Sequence, residues 1–390
     1  MHPHWAVIGD PVEHSLSPKL FLWLLSHVGI DGSYRKQHVR PSALASFVHT
    51  VRAGGMDGFN VTLPHKQEVL SLLDDVTDQA KQVGAVNCVA RREHKLVGTN
   101  TDVDGVVLAL QRLNVELKQK AAVVFGAGGA ARAAVVACEK LGVAQVDVVN
   151  RTLKKAQELV TSLQQQTPHL QLDALALADD GLAEKIQNAT LNIQASSVGL
   201  KSTESILDDV EFKFSAKQIV MDMVYSPLET SFLKKAKAEG ARCQDGLWML
   251  VYQALASFSF WTQTTVDDDV AAPLHEHLVG LLSNPLPDNQ GSDDVREAVL
   301  RGRQEINAID RELVQLLAAR AKVARSIGAV KAKLAEPVVR PERENQLRKL
   351  HEDWAEEFGV SHDVVKSVFD SVLNESRKIQ SELASKDVSD

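Results

Sequence analysis

Ala121-Ala122-Val123-Val124-Phe125-Gly126-Ala127-Gly128-Gly129-Ala130-Ala131-Arg132 passes from an unbroken apolar run into a glycine-rich turn. Five consecutive apolar residues read as a strand buried on both faces. Helical spacing over Ala133 to Leu141 comes next, so the order is strand, tight turn, helix. Small residues in such a turn let the backbone approach a pyrophosphate at the helix N-terminus, with Gly126, Ala127, Gly128, Gly129 and Ala130 as the contacts. A glycine-rich loop alone is weak evidence, but here a second strand, Val146 to Val149, arrives at the expected interval. A third buried strand at Leu191 to Ala195 and a fourth at Gln218 to Met223 alternate with helices, which predicts a doubly wound parallel sheet over 105–245.

The end of the second strand selects the dinucleotide. An NAD site would place Asp or Glu there to bond the ribose hydroxyls, whereas this chain has Asn150-Arg151-Thr152 with Lys154 and Lys155 behind. A neutral amide and a guanidinium suit a 2′-phosphate, so the expected cofactor is NADP. Cations that only decorate a helix start would sit against the helix dipole, which strengthens the case for an anion.

Upstream, Asn60-Val61-Thr62-Leu63-Pro64-His65-Lys66 delivers polar side chains and a cation from the end of an apolar strand, Met56 and Phe59 to Val61. Pro64 removes a backbone donor and ends the pairing. Gln67 to Leu73 has helical spacing and places Lys66 near a helix N-terminus, where a cation is disfavoured. Gly84 to Val89 reads as a strand carrying Asn87, and Gly98 to Asp102 as a strand end closed by an acid. Lys66, Asn87 and Asp102 then make one pocket, in which Lys and Asp form a proton-transfer couple. His14-Ser15-Leu16-Ser17-Pro18 comes after the strand Trp5 to Ile8, and its hydroxyls suit a carboxylate ligand; the simpler alternative is a helix N-cap for Lys19 to Leu25.

The motifs His14-Ser-x-Ser-Pro18, Asn60-Val-Thr-x-Pro-x-Lys66, Gly84-Ala-Val-Asn87 and Asn100-Thr-Asp102 resemble the shikimate dehydrogenase family in order and interval, over about residues 5 to 283. The resemblance implies Lys66 and Asp102 as catalytic residues, with Ser15, Ser17, Asn60, Thr62, Asn87, Tyr225 and Gln253 against the substrate. It also implies cofactor contacts from Asn150, Arg151, Thr152, Lys155, Met223 and Gly246. Gln194-Ala195-Ser196 departs from the family's usual Asn-Ala-Thr, which leaves the cofactor contacts there open. Asp245 to Ala254 starts a helix with Leu247, Leu250, Val251 and Ala254 on its buried face and Gln253 beside that face; by resemblance it returns to the first domain.

At 390 residues the chain has room for two or three domains. A net charge of −8 gives no footprint for nucleic acid or an anionic membrane, and the apolar runs Leu20 to Leu25 and Met249 to Leu255 are too short to span one. Three dispersed cysteines and an N-terminus without a signal-peptide pattern point to the cytoplasm. No metal is expected: the close pairs His2 and His4, and His275 and His277, read as solvated side chains.

Residues 284–293 are a linker by composition, and the chain beyond them is charged, strand-free and helical. Ile306, Ile309, Leu313, Leu316, Val323, Ile327, Val330 and Leu334 recur at heptad spacing, and Arg320 occupies the place of the missing apolar residue. Burying an unpaired charge costs several kcal/mol, so Arg320 calls for an anionic partner; the simpler alternative is a polar residue that sets the register of a coiled coil. Lys331 lies 11 residues further on, about 16 Å at 1.5 Å per residue, and Arg303 lies 17 residues earlier, roughly 25 Å away. Two arginines so far apart serve one small ligand only if Arg303 comes from a second chain, which predicts an intertwined homodimer.

Arg303, Arg320, Lys331, Arg343, Glu344, Ser376 and Gln380 fall at the intervals of the all-helical chorismate mutase family, which this region resembles over about residues 294 to 385. The resemblance implies arginines clamping the two carboxylates of chorismate while Lys331 and Gln380 bond its ether oxygen. Glu344 then has to be protonated or well paired, and Arg340 stands where some members place an acid. The expected architecture is an α/β dehydrogenase, with a substrate domain (1–104 with 246–283) and a Rossmann-like NADP domain (105–245), followed by an all-α mutase domain (294–390). Reduction of 3-dehydroshikimate and rearrangement of chorismate are the expected reactions. The alternatives are a quinate-type dehydrogenase and a helical dimerisation module without activity.

Overall fold

The computed structural model describes residues 3–200, 204–208, 210–283, 292–334 and 336–386, some of the long-helix positions by backbone alone. The chain divides into two compact units, Met1–Pro285 and Leu286–Asp390.

The first unit is built on two sheets. Its opening half runs β1 (His4–Gly9), α1 (Ser17–Val28), β2 (Ser33–His38), α2 (Leu44–Thr50), β3 (Gly58–Val61), β4 (Asp75–Val76), α3 (Asp78–Val83), β5 (Cys88–Arg92), β6 (Lys95–Thr99) and α4 (Asp102–Gln111). The strands pair in the order β2-β1-β3-β5-β6-β4, with β1 parallel to both its neighbours and β5 antiparallel to β3 and β6. Thr77 caps α3 by accepting the Ala80 N–H, and Gly84 closes it in the left-handed conformation (φ +67°) that a side chain resists.

The second half continues β7 (Ala121–Phe125), α5 (Gly129–Lys140), β8 (Gln145–Asn150), α6 (Leu153–Gln164), β9 (Gln171–Ala176), α7 (Leu182–Asn188), β10 (Leu191–Gln194), β11 (Ile219–Asp222), α8 (Ser231–Ala238) and β12 (Arg242–Gln244). These strands lie in the order β12-β11-β10-β7-β8-β9, all parallel. That is the doubly wound arrangement, whose order reverses between β7 and β10 and opens a crevice at their carboxyl ends. α9 (Gly246–Thr262) and α10 (Ala271–Ser283) complete the unit. α9 packs against α4 where Gly105 faces Met249: a Cβ on Gly105 would lie 2.7 Å from the Met249 carbonyl oxygen. Only a residue without a side chain permits that approach.

The second unit consists of α11 (Ser292–Lys333), α12 (Pro341–Phe358) and α13 (His362–Lys386). Packing of α11 and α12 against α13 buries Ala324, Ala355 and Leu373. The heptad residues Ile306, Leu313, Leu316, Val323, Ile327, Val330 and Leu334 are instead 44–63% exposed, so this apolar seam is not covered by the chain's own helices.

Several expectations change. Of the expected strand Gly84 to Val89 only Cys88 and Val89 lie in β5; Gly84 to Asn87 is a helix end and a turn before it. β3 begins at Gly58 rather than at Met56. Lys66 is followed by a 3-10 segment of five residues, Glu68–Leu72, too short for a helix dipole to weigh on it. Ser15 and Ser17 do not cap α1, whose N-cap is Leu16 without a side-chain hydrogen bond. α9 is buried nearly all round, including Trp248, Met249 and Tyr252, because it runs through the core between the first sheet and α4. His4 and His275 are held rather than solvated: His4 Nδ1 meets Ser33 Oγ at 2.7 Å, and His275 stacks on Trp248 at 4.0 Å. Among the described residues no group of His, Cys, Asp and Glu is placed to hold a metal.

Candidate active sites

In the first unit Lys66, Asn87 and Asp102 meet. β3 ends at Val61, and the turn through Pro64 brings Lys66 back beneath the sheet edge, where its carbonyl accepts the Val86 N–H at 2.7 Å. Asp102 is the first residue of α4, where unpaired N–H groups favour a carboxylate. Lys66 Nζ lies 2.6 Å from Asp102 Oδ2, and Asn87 Nδ2 donates to Oδ1 at 2.7 Å. The two charged side chains are 16% and 6% exposed. In so dry a site the ion pair stands only because the second carboxylate oxygen is also bonded.

The pair opens into a cleft of about 860 Å³ that Ser15, Ser17, Asn60, Thr62, Tyr225 and Gln253 also line. Ser15 Oγ donates to Ser17 Oγ at 3.0 Å. Gln253, 7% exposed, donates from Nε2 to the Leu250 carbonyl at 2.9 Å. Burial pushes the half-buried Tyr225 phenol up from its ordinary range. Asn60 spends its amide inside the protein: Oδ1 accepts from Tyr34 Oη at 2.8 Å, and Nδ2 donates to the Asn87 carbonyl and to Ser257 Oγ, both at 3.1 Å. Its place is the wall of the cleft, with no polar atom left over.

Tyr34, Ser257 and Thr101 were not expected at the site. Ser257 Oγ meets Thr101 Oγ1 at 2.9 Å, and Thr101 donates its N–H to Asn87 Oδ1 at 2.7 Å, so a buried network runs from Tyr34 through Asn60 and Ser257 to Asn87 and Asp102. A serine in the middle of an apolar helix was the available signal, since a buried hydroxyl requires partners. His65, fully buried beside Lys66, donates from Nε2 to the Val39 carbonyl at 2.6 Å and ties the turn to the end of β2.

The glycine-rich turn forms the opposite wall. Gly126 has φ +122°, and a Cβ there would stand 2.9 Å from the Ala195 carbonyl oxygen, where β7 and β10 part. Gly128 caps α5 and faces open space: no atom lies within 4 Å of where its Cβ would be. Ala127 extends the turn, Ala130 lines the cleft, and a Cβ on Gly129 would touch Lys66 Cδ at 3.3 Å, so the turn reaches the lysine stem. Asn150 Nδ2 donates to the Thr152 carbonyl at 3.0 Å and shapes the corner after β8. Arg151, Thr152, Lys154 and Lys155 are exposed there. Neither Arg151, Lys154 nor Lys155 forms an ion pair with another described residue. Gly246 starts α9 directly over Met223, whose carbonyl would be 2.6 Å from a Cβ, and both line the cleft. Gln194, in place of the expected Asn, accepts the Ser196 N–H and donates to the Val198 carbonyl, so its extra length is used to brace the turn after β10.

Asp222, at the end of β11, is fully buried and accepts from Thr230 Oγ1 at 2.6 Å and the Val224 N–H at 2.9 Å. Burial pushes its carboxyl up from 3.8 to about 6. The folded state therefore binds this proton more tightly than the unfolded chain. Its stabilising effect is complete below about pH 4 and is lost as pH rises through 6. At about 1.4 kcal/mol per unit, the loss at neutral pH is on the order of 3 kcal/mol. Urea unfolding at pH 5 and pH 7 is expected to show a smaller decline in stability for Asp222→Asn than for the wild-type chain; equal declines would refute this assignment.

In the second unit the expected residues gather only in part. Arg320 Nη1 donates to Ser376 Oγ and, at 3.4 Å, to the Val372 carbonyl, joining α11 to α13. Its predicted anionic partner is absent among the described residues; a hydroxyl and a carbonyl serve instead, and partial burial lowers the guanidinium pKa. Glu344 is doubly bonded by Arg377, from Nε to Oε1 at 2.9 Å and from Nη2 to Oε2 at 2.6 Å, which holds its carboxyl below the usual range. It is therefore paired, not protonated. Lys331 Nζ donates to the Val338 carbonyl at 2.9 Å, and Gln380 is half-buried one turn beyond Ser376. Arg343 is exposed, with Gln346 of its own helix at 3.3 Å, and Arg340 pairs with Glu336 at 2.7 Å. The Arg303 side chain lies outside the described residues.

Residues 7–89 match the shikimate dehydrogenase substrate binding domain, 107–210 the shikimate/quinate 5-dehydrogenase family and 246–272 the shikimate 5′-dehydrogenase C-terminal domain. A shikimate dehydrogenase (NADP(+)) of Bacillus cereus is 38% identical over 265 residues, which is 67% of this chain and 93% of that protein. The chain belongs to the shikimate dehydrogenase family. Among solved structures, the shikimate 5-dehydrogenase of Thermus thermophilus in complex with NADP(H) and shikimate is 35% identical, with a TM-score of 0.61 over 70% of this chain and 99% of that one. A chorismate mutase/shikimate 5-dehydrogenase fusion protein from Clostridium acetobutylicum is 29% identical, with a TM-score of 0.63 over 73% of this chain and 99% of that one. Residues 302–381 match chorismate mutase type II. This member of the family thus carries a helical unit of mutase type behind its dehydrogenase fold, and none of its described helices is long and apolar enough to cross a membrane.

Proposed function

We propose that the chain reduces 3-dehydroshikimate to shikimate with NADPH in the first unit and rearranges chorismate to prephenate in the second. The observation that carries the first half is the bonded Lys66–Asp102–Asn87 group, facing a glycine turn that reaches the Lys66 stem. The open space at Gly128, the N-terminus of α5 and the exposed cations Arg151, Lys154 and Lys155 fit a dinucleotide with an extra phosphate. Bound NADPH supplies the hydride. Lys66 then gives a proton to the oxygen that gains charge as the carbonyl is reduced, and Asp102 holds the ammonium in line. Ser15 and Ser17 bond the substrate carboxylate, while Thr62, Asn87, Tyr225 and Gln253 orient its ring and hydroxyls. Asn60 acts through Asn87, since its own polar atoms are taken.

In the second unit Arg320, with Arg303 and Arg343, binds the two carboxylates, and Lys331 and Gln380 face the ether oxygen. Ser376 holds Arg320, and Glu344 accepts the substrate hydroxyl. Arg303 and Arg320 lie on one unbroken helix about 25 Å apart, and the seam between them is exposed. The second copy of the chain covers that seam and supplies Arg303, so the active form is a homodimer. The division into 1–104 with 246–283, 105–245 and 294–390 belongs to the same reading. So does residence in the cytoplasm, where the thiols of Cys88, Cys138 and Cys243 stay free.

Assays on the intact chain test the proposal. Shikimate and quinate are each offered with NADP and NAD, chorismate is offered separately, and sedimentation gives the mass. Preference for shikimate with NADP, consumption of chorismate and a dimer are expected. A preference for quinate, or chorismate decaying at its uncatalysed rate, would reject the corresponding half.

A further inference from the structure

Resting on the mutase reading of the second unit, we propose that Arg377 is a positioning residue of that site. It holds Glu344 as a compensated carboxylate, so that a dianionic substrate can bind beside it. A carboxylate facing a substrate with two negative charges repels it, and like charges brought together at a binding site cost several kcal/mol. Glu344 escapes this through geometry. Arg377 approaches from α13 with two parallel N–H bonds of 2.9 and 2.6 Å, the arrangement in which a guanidinium fixes both the charge and the plane of a carboxylate. The same side chain is steadied by Asn374 Oδ1, to which Nη1 donates at 2.9 Å. Arg377 directly follows Ser376, the residue that contacts Arg320. One turn of α13 therefore sets two groups of the site, one cationic and one anionic.

The charges around Glu344 make the pairing decisive. From α13 it is faced by Arg377, and on α12 by Arg348; Asp370 of α13 lies within the field of Arg377. Without Arg377 the carboxylate loses its only direct partner among the described residues, keeps just the more distant field of Arg348, and faces the substrate uncompensated at neutral pH. Lowering the pH would then relieve the repulsion by protonating Glu344, which wild-type pairing prevents across the assay range. A bond that served only to join α12 to α13 would leave no such dependence.

The test compares the wild-type chain, Arg377→Met and the double variant Glu344→Gln/Arg377→Met, all full length. KM and kcat for chorismate are read at pH 5.5 and pH 8, with circular dichroism to follow the helices. For R377M the KM at pH 8 is expected to rise about tenfold and to fall back part of the way at pH 5.5, with kcat changing less. The double variant is expected to regain most of the affinity and to lose the pH dependence. An unchanged KM in R377M, or a loss equal at both pH values and not relieved by E344Q, would overturn the positioning role while leaving the mutase reading intact. A wild-type chain that does not convert chorismate would overturn both.

Discussion

Lys66→Met is expected to lower dehydrogenase turnover by about 10³-fold, within the range that removal of a positioned acid or base produces, while chorismate consumption in the same sample stays unchanged. Methionine keeps the length and much of the packing against Gly129 but has no proton to give. The ketone oxygen would then gain charge with no donor beside it. The loss should fall on kcat, since the proposed site assigns the substrate carboxylate to Ser15 and Ser17 rather than to Lys66. Asp102→Asn is expected to act in the same direction through the same pair, because Lys66 Nζ loses the oxygen that fixes it at 2.6 Å. The two changes together should cost little more than either alone, as groups that act as a unit do. Breaking a buried pair by removing one partner also destabilises, by about 3–5 kcal/mol, so the melting temperature must be followed and the rate taken well below it. A loss under tenfold in K66M, with the fold intact, would remove Lys66 from the chemistry.

The parts of this molecule that the sequence disclosed are those where one local rule decided the structure. Ala121–Phe125 has no polar residue and could only be an interior strand, and it is one, at the point where the sheet reverses. Lys66, Asn87 and Asp102 were legible because each stands where an apolar run ends, and the fold brings those ends together. Strands β2 and β9 were not, since Ser-Tyr-Arg-Lys-Gln-His and Gln-Leu-Asp-Ala-Leu-Ala bury few side chains at sheet edges and carry little apolar signal. Tyr34 and Ser257 were missed for a different reason. They bond Asn60 from 26 and 197 positions away along the chain, a distance that no spacing rule spans. The partner of Arg320 was predicted in kind and found different. The expectation that a buried charge needs an opposite charge assumes full burial, and this guanidinium is only half covered, so a hydroxyl and a carbonyl suffice.

That half-covered state bears on the second large effect. Arg320→Ala is expected to reduce chorismate turnover by about 10²- to 10³-fold, the size seen when one preorganised donor to developing charge is removed, and to leave shikimate oxidation unchanged. A guanidinium whose partners are a serine hydroxyl and a backbone carbonyl keeps its full positive charge and most of its donors for a ligand. Partial burial already lowers its pKa, so an incoming carboxylate also relieves the desolvation of the cation. Arg320→Lys separates charge from geometry. The ammonium retains the attraction but loses the planar fork that grips a carboxylate with two parallel bonds, so an intermediate loss is expected. If Ala and Lys lose equally, the forked geometry is what matters; if Lys is wild-type-like, net charge suffices. If neither variant loses more than threefold while the helices and the association state persist, Arg320 is a seam residue that sets register, and the helical unit serves association rather than catalysis.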